Sequence, residues 1–201
     1  MAIQTSIADV PPVTHDASPE ARALLNYLYA IYGKKTLSGQ MRPSWGIDEI
    51  ETVEEITGKL PAIRGQGYIH ESANGRENQL ATAWWKAGGI PTIMWHWGAP
   101  SLGEGYEQTK LTIDIERCFQ PRTAEHTALW SDMARIADHL TVLQDTQVRV
   151  LWCLLHEFDG EWFWHTSHLT NHERDAIIRA YNHEQIITRD KLPKIMDYLT
   201  L

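Results

Sequence analysis

The sequence contains little cysteine, little phenylalanine and no long apolar run. Its 201 residues include two cysteines, Cys118 and Cys153, which form no CxxC pair, so neither a disulfide framework nor a thiolate metal site is indicated. No stretch reaches the length of a membrane span. The first residues have neither a basic start nor seven consecutive apolar residues, so we expect no signal peptide. These absences favour a single globular domain.

Positive charge is also scarce. Asp and Glu total 26 against 18 Lys and Arg, which gives a formal net charge of -8, and such a balance repels polyanions. We therefore expect neither nucleic acid nor a membrane as a partner. The chain is instead rich in tryptophan and tyrosine, with nine and seven residues against three phenylalanines. These rings combine a flat apolar face with a polar group, and sugars are one ligand class that uses them.

Short apolar runs alternate with helical segments along the chain. The runs cover residues 36–38, 60–64, 90–95 and 148–155. Each is followed by a polar loop and a helix-like segment, an alternation typical of βα units and a parallel sheet. Capping residues and apolar periodicity predict helices from Pro19 to Gly33, over about 47–57 and 78–87, after Thr123, and from Thr170.

The number of these units limits the architecture. Four strand–helix periods take up roughly 170 residues, whereas a closed eight-stranded barrel usually needs about 250. We therefore predict an α/β fold of the (β/α)8 TIM-barrel type, with only about the first half, four to five βα units, present. Residues 1–17 are predicted to be an irregular N-terminal segment, and residues 18–201 to form the partial barrel domain.

The densest group of ionisable and aromatic residues follows the fourth apolar run. The run ends at His156-Glu157, which places an ionisable pair where barrel enzymes carry catalytic groups, at the C-terminal end of a buried strand. Held among tryptophans such as Trp162, the carboxyl of Glu157 would lose solvation of its charged form and become available as a general acid. The structural alternative is a strand-end salt bridge with His156 or Arg149.

A second aromatic cluster ends the third apolar run. There His96 is predicted to hydrogen-bond a sugar hydroxyl or a catalytic carboxylate; the alternative is a strand-end histidine with structural partners only. The tryptophans near the two strand ends are predicted to bind substrate by stacking on sugar rings: Trp95, Trp97, Trp162 and Trp164.

Metal binding is a weaker interpretation of the histidines. His165, His168 and His172 would share one face if their segment were helical, but their spacing is not that of an HExxH zinc motif. We expect no metal and no cofactor.

Taken together, these residues resemble glycoside hydrolase family 26, whose best-known members are endo-β-1,4-mannanases with a (β/α)8 barrel. The resemblance runs from about Leu24 to Trp164. Four ordered motifs carry it: Leu37-Ser-Gly-Gln40; Thr57-Gly-Lys-Leu-Pro-Ala-Ile63; Trp95-His96 with Pro100; and His156-Glu157-Phe-Asp-Gly160 with Trp162-Phe-Trp164.

The resemblance implies roles for individual residues. Glu157 would be the general acid/base of a retaining mannan hydrolase, with His96 and His156 as polar neighbours and Trp162 as a wall on which a sugar stacks. A retaining enzyme also needs a nucleophilic carboxylate, which the family carries on its seventh strand and which we expect this chain to lack. The family's members are usually secreted or located at the cell surface. The sequence departs from the family pattern at Gly67, at Cys153-Leu154 and at His165.

Two consequences follow from the expected half-site. Hydrolysis of β-1,4-mannosidic bonds by this chain would be weak or absent without the nucleophile. The alternative to a mannanase-like hydrolase is a non-catalytic carbohydrate-binding or interaction remnant of such an enzyme. Half a barrel also leaves sheet edges unpaired, so self-association through the open edge is a further expectation.

Overall fold

A computed structural model describes residues 17–42, 49–157 and 160–166 of the chain. Its four strands form one parallel sheet in the order β1-β2-β3-β4, and helices alternate with them. This arrangement confirms the α/β prediction. The elements are α1 (Pro19–Ile31), β1 (Gly39–Met41), α2 (Glu49–Thr57), β2 (Ile63–Tyr68), α3 (Glu71–Lys86), β3 (Ile90–Trp95), α4 (Ala124–Asp145) and β4 (Leu151–Cys153).

The helix ends follow from local sequence. Ser18 caps α1, because its hydroxyl accepts a hydrogen bond from the Ala21 backbone N–H, and Pro19 occupies the first helical position. Thr123 caps α4 in the same way, through the N–H of His126. Both caps confirm the predicted helix starts.

Helix α3 begins seven residues earlier than predicted, at Glu71 instead of residue 78. The buried side chains of its first turns are polar, namely Asn74, Glu77 and Asn78. A search for apolar periodicity therefore finds no helix there. Hydrogen bonds compensate the burial of Asn78, which accepts from the Tyr68 hydroxyl and donates to the His139 carbonyl at 2.8 Å.

The predicted strands differ from the observed ones in their bounds. The third coincides with β3, and β4 occupies three residues inside the predicted 148–155. The predicted first strand lies three residues before β1. The predicted second strand begins three residues and ends four residues too early, because β2 has the sequence Ile-Arg-Gly-Gln-Gly-Tyr and so carries almost no apolar signal. Its backbone pairing with β1 and β3, rather than its side chains, defines it as a strand.

The pleat gives the sheet two different faces. Tyr68 and Gln66 point toward α3, whereas Gly67 between them lies on the other face. The helix side holds the hydrophobic core, which strand residues such as Ile93 and Trp95 share with α4. Apolar periodicity predicts one buried stripe of six residues along α4. Leu129, Met133, Ile136 and Leu143 are buried as predicted, whereas Ala137 and Leu140 are only partly buried. Helix α1 contributes no buried residue.

Some expectations concern residues outside the described ranges. The irregular segment at 1–17 is described only from residue 17, and the helix predicted from Thr170 lies wholly outside. The division at residue 18 therefore stays a prediction. Within the described ranges, no helix combines the length and the apolar character that crossing a membrane requires.

The hydrogen bond between Tyr68 and Asn78 makes a prediction about stability. Tyr68→Phe leaves the buried Asn78 oxygen without its hydroxyl donor, which we expect to lower the free energy of unfolding by about 1–3 kcal/mol. Urea denaturation measures this loss. Tyr32→Phe is the control, since Tyr32 is 69% exposed and should change little; equal losses in the two variants would contradict the assignment.

Candidate active site

The candidate site lies where β3 and β4 end side by side. Met94 pairs with Cys153 in the parallel register. His96 follows β3, and His156 and Glu157 follow β4. Because parallel strands present their carboxyl ends at one edge of the sheet, residues far apart in sequence meet there. The ring centroids of His96 and His156 are 4.8 Å apart.

Glu157 is held by two neighbours. Its Oε2 accepts a hydrogen bond from the Trp162 indole Nε1 at 2.9 Å, and its Oε1 lies 3.5 Å from His156 Nε2. The structure thus brings together four of the predicted site residues, namely His96, His156, Glu157 and Trp162. The contact with His156 is the one predicted by the structural alternative for Glu157, and the catalytic role stays a prediction.

The surroundings of Glu157 are more open than the sequence suggested. Its side chain is 45% exposed, so the expected enclosure among tryptophans is not observed in the described part of the chain. The backbone is in the left-handed region, with φ +51°. A residue with a β-carbon pays about 1–2 kcal/mol there, and such strain is concentrated at functional sites. The Gly160 N–H donates a hydrogen bond to the Glu157 carbonyl at 2.9 Å.

His96 is a partly buried histidine with a lowered pKa. Its pKa is lowered to about 4, chiefly by burial and also by the neighbouring His156, whereas the charge of Glu157 raises it. Its Nδ1 is buried and has no hydrogen-bond partner among the described residues. A β-carbon at position 67 would lie 3.4 Å from this nitrogen. Gly67, one of the positions at which the sequence departs from the pattern of the family that it resembles, therefore lies directly beside the His96 ring.

Two aromatic residues that are not among the predicted site residues, Phe163 and Tyr106, lie beside the histidine rings. We call His96, His156, Phe163 and Tyr106 together the inner wall of the candidate site. The buried ring of Phe163 has its centroid 6.4 Å from both histidine rings. Tyr106 lies 6.1 Å from His96 and 6.3 Å from Phe163, and the Lys110 ammonium lies over its ring at 4.0 Å. Phe163 belongs to a motif that carries the family resemblance, whereas nothing local in the sequence marks Tyr106 beyond its place in a long loop.

The four predicted sugar-binding tryptophans fall into two groups. Trp162 is 50% exposed, but Trp95, Trp97 and Trp164 are 6%, 2% and 2% exposed. The buried three pack on one another: Trp95 and Trp97 are stacked with centroids 4.1 Å apart, and Trp164 meets Trp97 edge-on at 5.1 Å. This placement departs from the expectation of sugar stacking, because no ring face of these three is free. Positions 95 and 97 face the helices, and only position 96 between them faces inward.

A cavity of about 350 Å³ lies at the same strand end, and Trp95, His96 and Trp97 are among its lining residues. Helices α3 and α4 border it, with Glu71, Asp132 and Arg135 among its polar lining, whereas Glu157 and Trp162 do not line it. The candidate site is therefore the open surface around Glu157 and not this cavity. Of the three histidines considered as metal ligands, only His165 lies in the described ranges, where no trio of His, Cys, Asp or Glu side chains is grouped to hold a metal ion.

Comparison with known proteins gives one consistent result. The family model described as Glycosyl hydrolase family 26 matches residues 13–191. Mannan endo-1,4-beta-mannosidase B of Piromyces sp is 33% identical over 164 residues, which are 74% of this chain and 29% of that protein. A mannan endo-1,4-beta-mannosidase of Bacillus subtilis (strain 168) is 31% identical over 172 residues, 77% of this chain and 48% of the relative. The chain thus spans about a third to a half of the length of these curated relatives.

Solved structures agree with the sequence relatives. The Bacillus subtilis mannanase man26 superposes with a TM-score of 0.69 at 27% identity, covering 90% of this chain and 61% of that one. A beta-mannanase from a symbiotic protist of the termite Reticulitermes speratus, solved with a gluco-manno-oligosaccharide, gives a TM-score of 0.69 at 28% identity, covering 87% and 61%. The prediction of a partial TIM-type barrel is thereby confirmed.

The partial burial of His96 predicts a pH-dependent stability. Its folded pKa lies below the unfolded value of about 6.5, so the stabilisation from the neutral ring is complete above that pH and is lost as the pH falls through about 4. Between about pH 7 and pH 4 we expect the free energy of unfolding to fall by roughly 2 kcal/mol more in the unsubstituted protein than in His96→Gln, a figure reduced for the ring's partial exposure. Urea denaturation at the two pH values measures it. Parallel pH dependences in the two proteins would show that His96 carries no such linkage.

Proposed function

The chain belongs to glycosyl hydrolase family 26, and on this basis we propose that Glu157 serves as the general acid/base in hydrolysis of β-1,4-mannosidic bonds. The observation that carries the proposal is the position of the carboxylate, which lies at a strand end, is open to solvent and is oriented by the Trp162 N–H. A general acid must reach the leaving-group oxygen within hydrogen-bond distance. A carboxylate fixed at one oxygen and exposed meets that requirement.

The neighbours of Glu157 supply binding and orientation. Trp162 donates through its indole nitrogen while half of its surface stays open, so its ring is suited to stack on a sugar face. His156 lies against the other oxygen of the Glu157 carboxylate. The lowered pKa of His96 leaves that ring uncharged near neutral pH, so His96 adds no positive charge to a site proposed to bind a neutral sugar. Similarity to a mannanase solved with a gluco-manno-oligosaccharide supports a substrate of this class.

We also propose that the described residues form only the acid/base half of a retaining site. Retention of configuration needs a second carboxylate about 5–5.5 Å from the first. The two contacts of the Glu157 carboxylate described above are to an indole and an imidazole. The family resemblance assigns the nucleophile to a seventh strand, and the described sheet has four. Without that group no covalent intermediate forms, and we expect hydrolysis by this chain to be weak or absent.

A carbohydrate-binding role without chemistry is the second candidate. The half-exposed Trp162 favours it, because an open ring beside a strand end binds a sugar whether or not the acid acts. The two candidates differ in which substitution removes the measured effect. Catalysis depends on Glu157, and binding depends on Trp162.

The catalytic proposal predicts that the loss of activity caused by Glu157→Gln depends on the leaving group of the substrate. On soluble galactomannan we expect any release of reducing ends to fall by at least about 100-fold, because an alkoxide leaving group needs the proton. On an aryl mannoside with an acidic phenol we expect a much smaller loss, because that leaving group departs unprotonated. The exposed Glu161→Gln in the same turn is the matched control.

Three other outcomes would revise the proposal. Equal losses on both substrates would exclude the acid/base role. Unchanged release in Glu157→Gln would exclude the residue altogether. Strong release by the unsubstituted chain would contradict the half-site proposal and would be followed by sedimentation, because two copies paired at the outer strands β1 and β4 are one way to complete the site.

The binding prediction concerns Trp162 alone. We expect Trp162→Ala to weaken binding of a manno-oligosaccharide roughly tenfold, and Trp162→Phe to retain most of the affinity, because stacking needs a ring. Isothermal titration calorimetry measures both, with Trp130→Ala on α4 as a control distant in sequence. Tight binding by Trp162→Ala would show that the sugar lies elsewhere. Binding that survives Glu157→Gln while no reducing ends are released would favour the non-catalytic role.

A further inference from the structure

We propose that Asp132, on the outer helix α4, is a positioning residue that holds Trp162 against Glu157 through Trp97 and Trp164. Its carboxylate Oδ2 accepts a hydrogen bond from Trp97 Nε1 at 3.0 Å. The backbone carbonyl of Trp97 accepts in turn from Trp164 Nε1 at 2.8 Å. In its bearing on catalysis, the inference rests on the proposed function of Glu157, but the contacts themselves do not.

The first step concerns the rigidity of the anchor. Asp132 lies on a 22-residue helix, between Leu129, Met133 and Ile136, which are buried in the core. Its other carboxylate oxygen accepts from Arg135 one turn later. Burial raises the pKa of the Asp132 carboxyl, whereas the hydrogen bond from Trp97 and the contact with Arg135 oppose that shift. The Trp97 indole is therefore fixed from a helix that the core itself holds in place.

The second step concerns the segment that carries Trp162. Residues 160–166 contain no helix or strand. Trp164 connects this segment to the rest of the fold: its backbone N–H donates to the Thr109 carbonyl at 2.8 Å, its Nε1 donates to Trp97, and its ring meets the Trp97 ring edge-on. Trp162, two residues away, is itself half exposed. Its placement depends on the burial of the residues that follow it.

The third step concerns Trp97, which connects Asp132 to Trp164 through contacts of both its ring and its backbone. Its ring is stacked on Trp95 at an interplanar angle of 11°, while its carbonyl receives the Trp164 indole. Without the Asp132 acceptor the Trp97 Nε1–H is left unpaired in a buried position, which disfavours the native orientation of the ring and so weakens its edge-on contact with Trp164. Removing the Asp132 acceptor should therefore loosen Trp162 without touching either Trp162 or Glu157.

Indole N–H signals in the NMR spectrum of the 15N-labelled full chain test this proposal. The Trp162 signal is identified as the one missing in Trp162→Phe. In the unsubstituted protein, Glu157→Ala removes the hydrogen-bond acceptor and shifts this signal. We expect the shift caused by Glu157→Ala to be at least about threefold smaller in an Asp132→Leu background, because the indole no longer occupies the bonded position.

Three variants separate positioning from general destabilisation. Asp132→Asn keeps an oxygen acceptor and should restore the response of Trp162. Trp97→Phe keeps a ring and the backbone carbonyl but lacks the Nε1 donor, so it should reproduce Asp132→Leu and add nothing to it in the double variant. Leu143→Ala weakens the core on the same helix, far along it from Asp132, and should leave the response unchanged.

Each outcome bears on the proposal separately from the catalytic one. A Trp162 signal that responds fully to Glu157→Ala in both the Asp132→Leu and the Trp97→Phe backgrounds overturns it. An equal loss of response in Leu143→Ala also overturns it, since the effect would then be general loosening. The expected pattern of shifts in a chain that neither cleaves nor binds mannan would support the positioning role and count against the proposed function alone.

Discussion

The pleat at the end of β3 places consecutive aromatic residues on opposite sides of the sheet. Trp95 and Trp97 enter the helix layer, and His96 faces inward toward His156 and Phe163. Because alternation is fixed by the extended backbone, a shift of one residue would exchange these environments. Both the core beneath α4 and the inner wall of the candidate site depend on this register, which β2 and β4 set from either side.

Polar interactions hold the helix layer where apolar ones are few. Glu71 at the start of α3 contacts His139 of α4 at 2.6 Å, and Asn78 joins the Tyr68 hydroxyl to the His139 carbonyl. These bonds connect β2, α3 and α4 at one level of the sheet. Tyr68 and Asn78 are the buried members of this network, so either one would be left desolvated without a hydrogen bond if its partner were displaced. The network thereby helps to fix the spacing between the two helices next to the strand ends.

Those contacts also explain what could and could not be predicted from the sequence. The parallel α/β architecture, the caps at Ser18 and Thr123, and the buried stripe of α4 follow from periodicity and capping chemistry. The start of α3 and the extent of β2 do not, because their signals are polar side chains and glycines whose partners are distant in sequence. The meeting of His96 with the His156-Glu157 pair is predictable from parallel strand ends. The exposure of Trp162 and the burial of the other three tryptophans could not be predicted, because they depend on the direction in which each side chain points from the backbone.

The exposure of Trp162 is informative because its neighbours are buried. Phe163 and Trp164 are each 2% exposed, whereas the ring before them is half open. An isolated exposed tryptophan would sample many orientations and would lose that freedom on binding a ligand. Here the two buried residues restrain the backbone, and the hydrogen bond to Glu157 restrains the ring. A face that is ordered before binding costs less entropy when a sugar stacks on it. The same contact orients the carboxylate, so a single hydrogen bond joins the proposed sugar-stacking ring to the proposed acid.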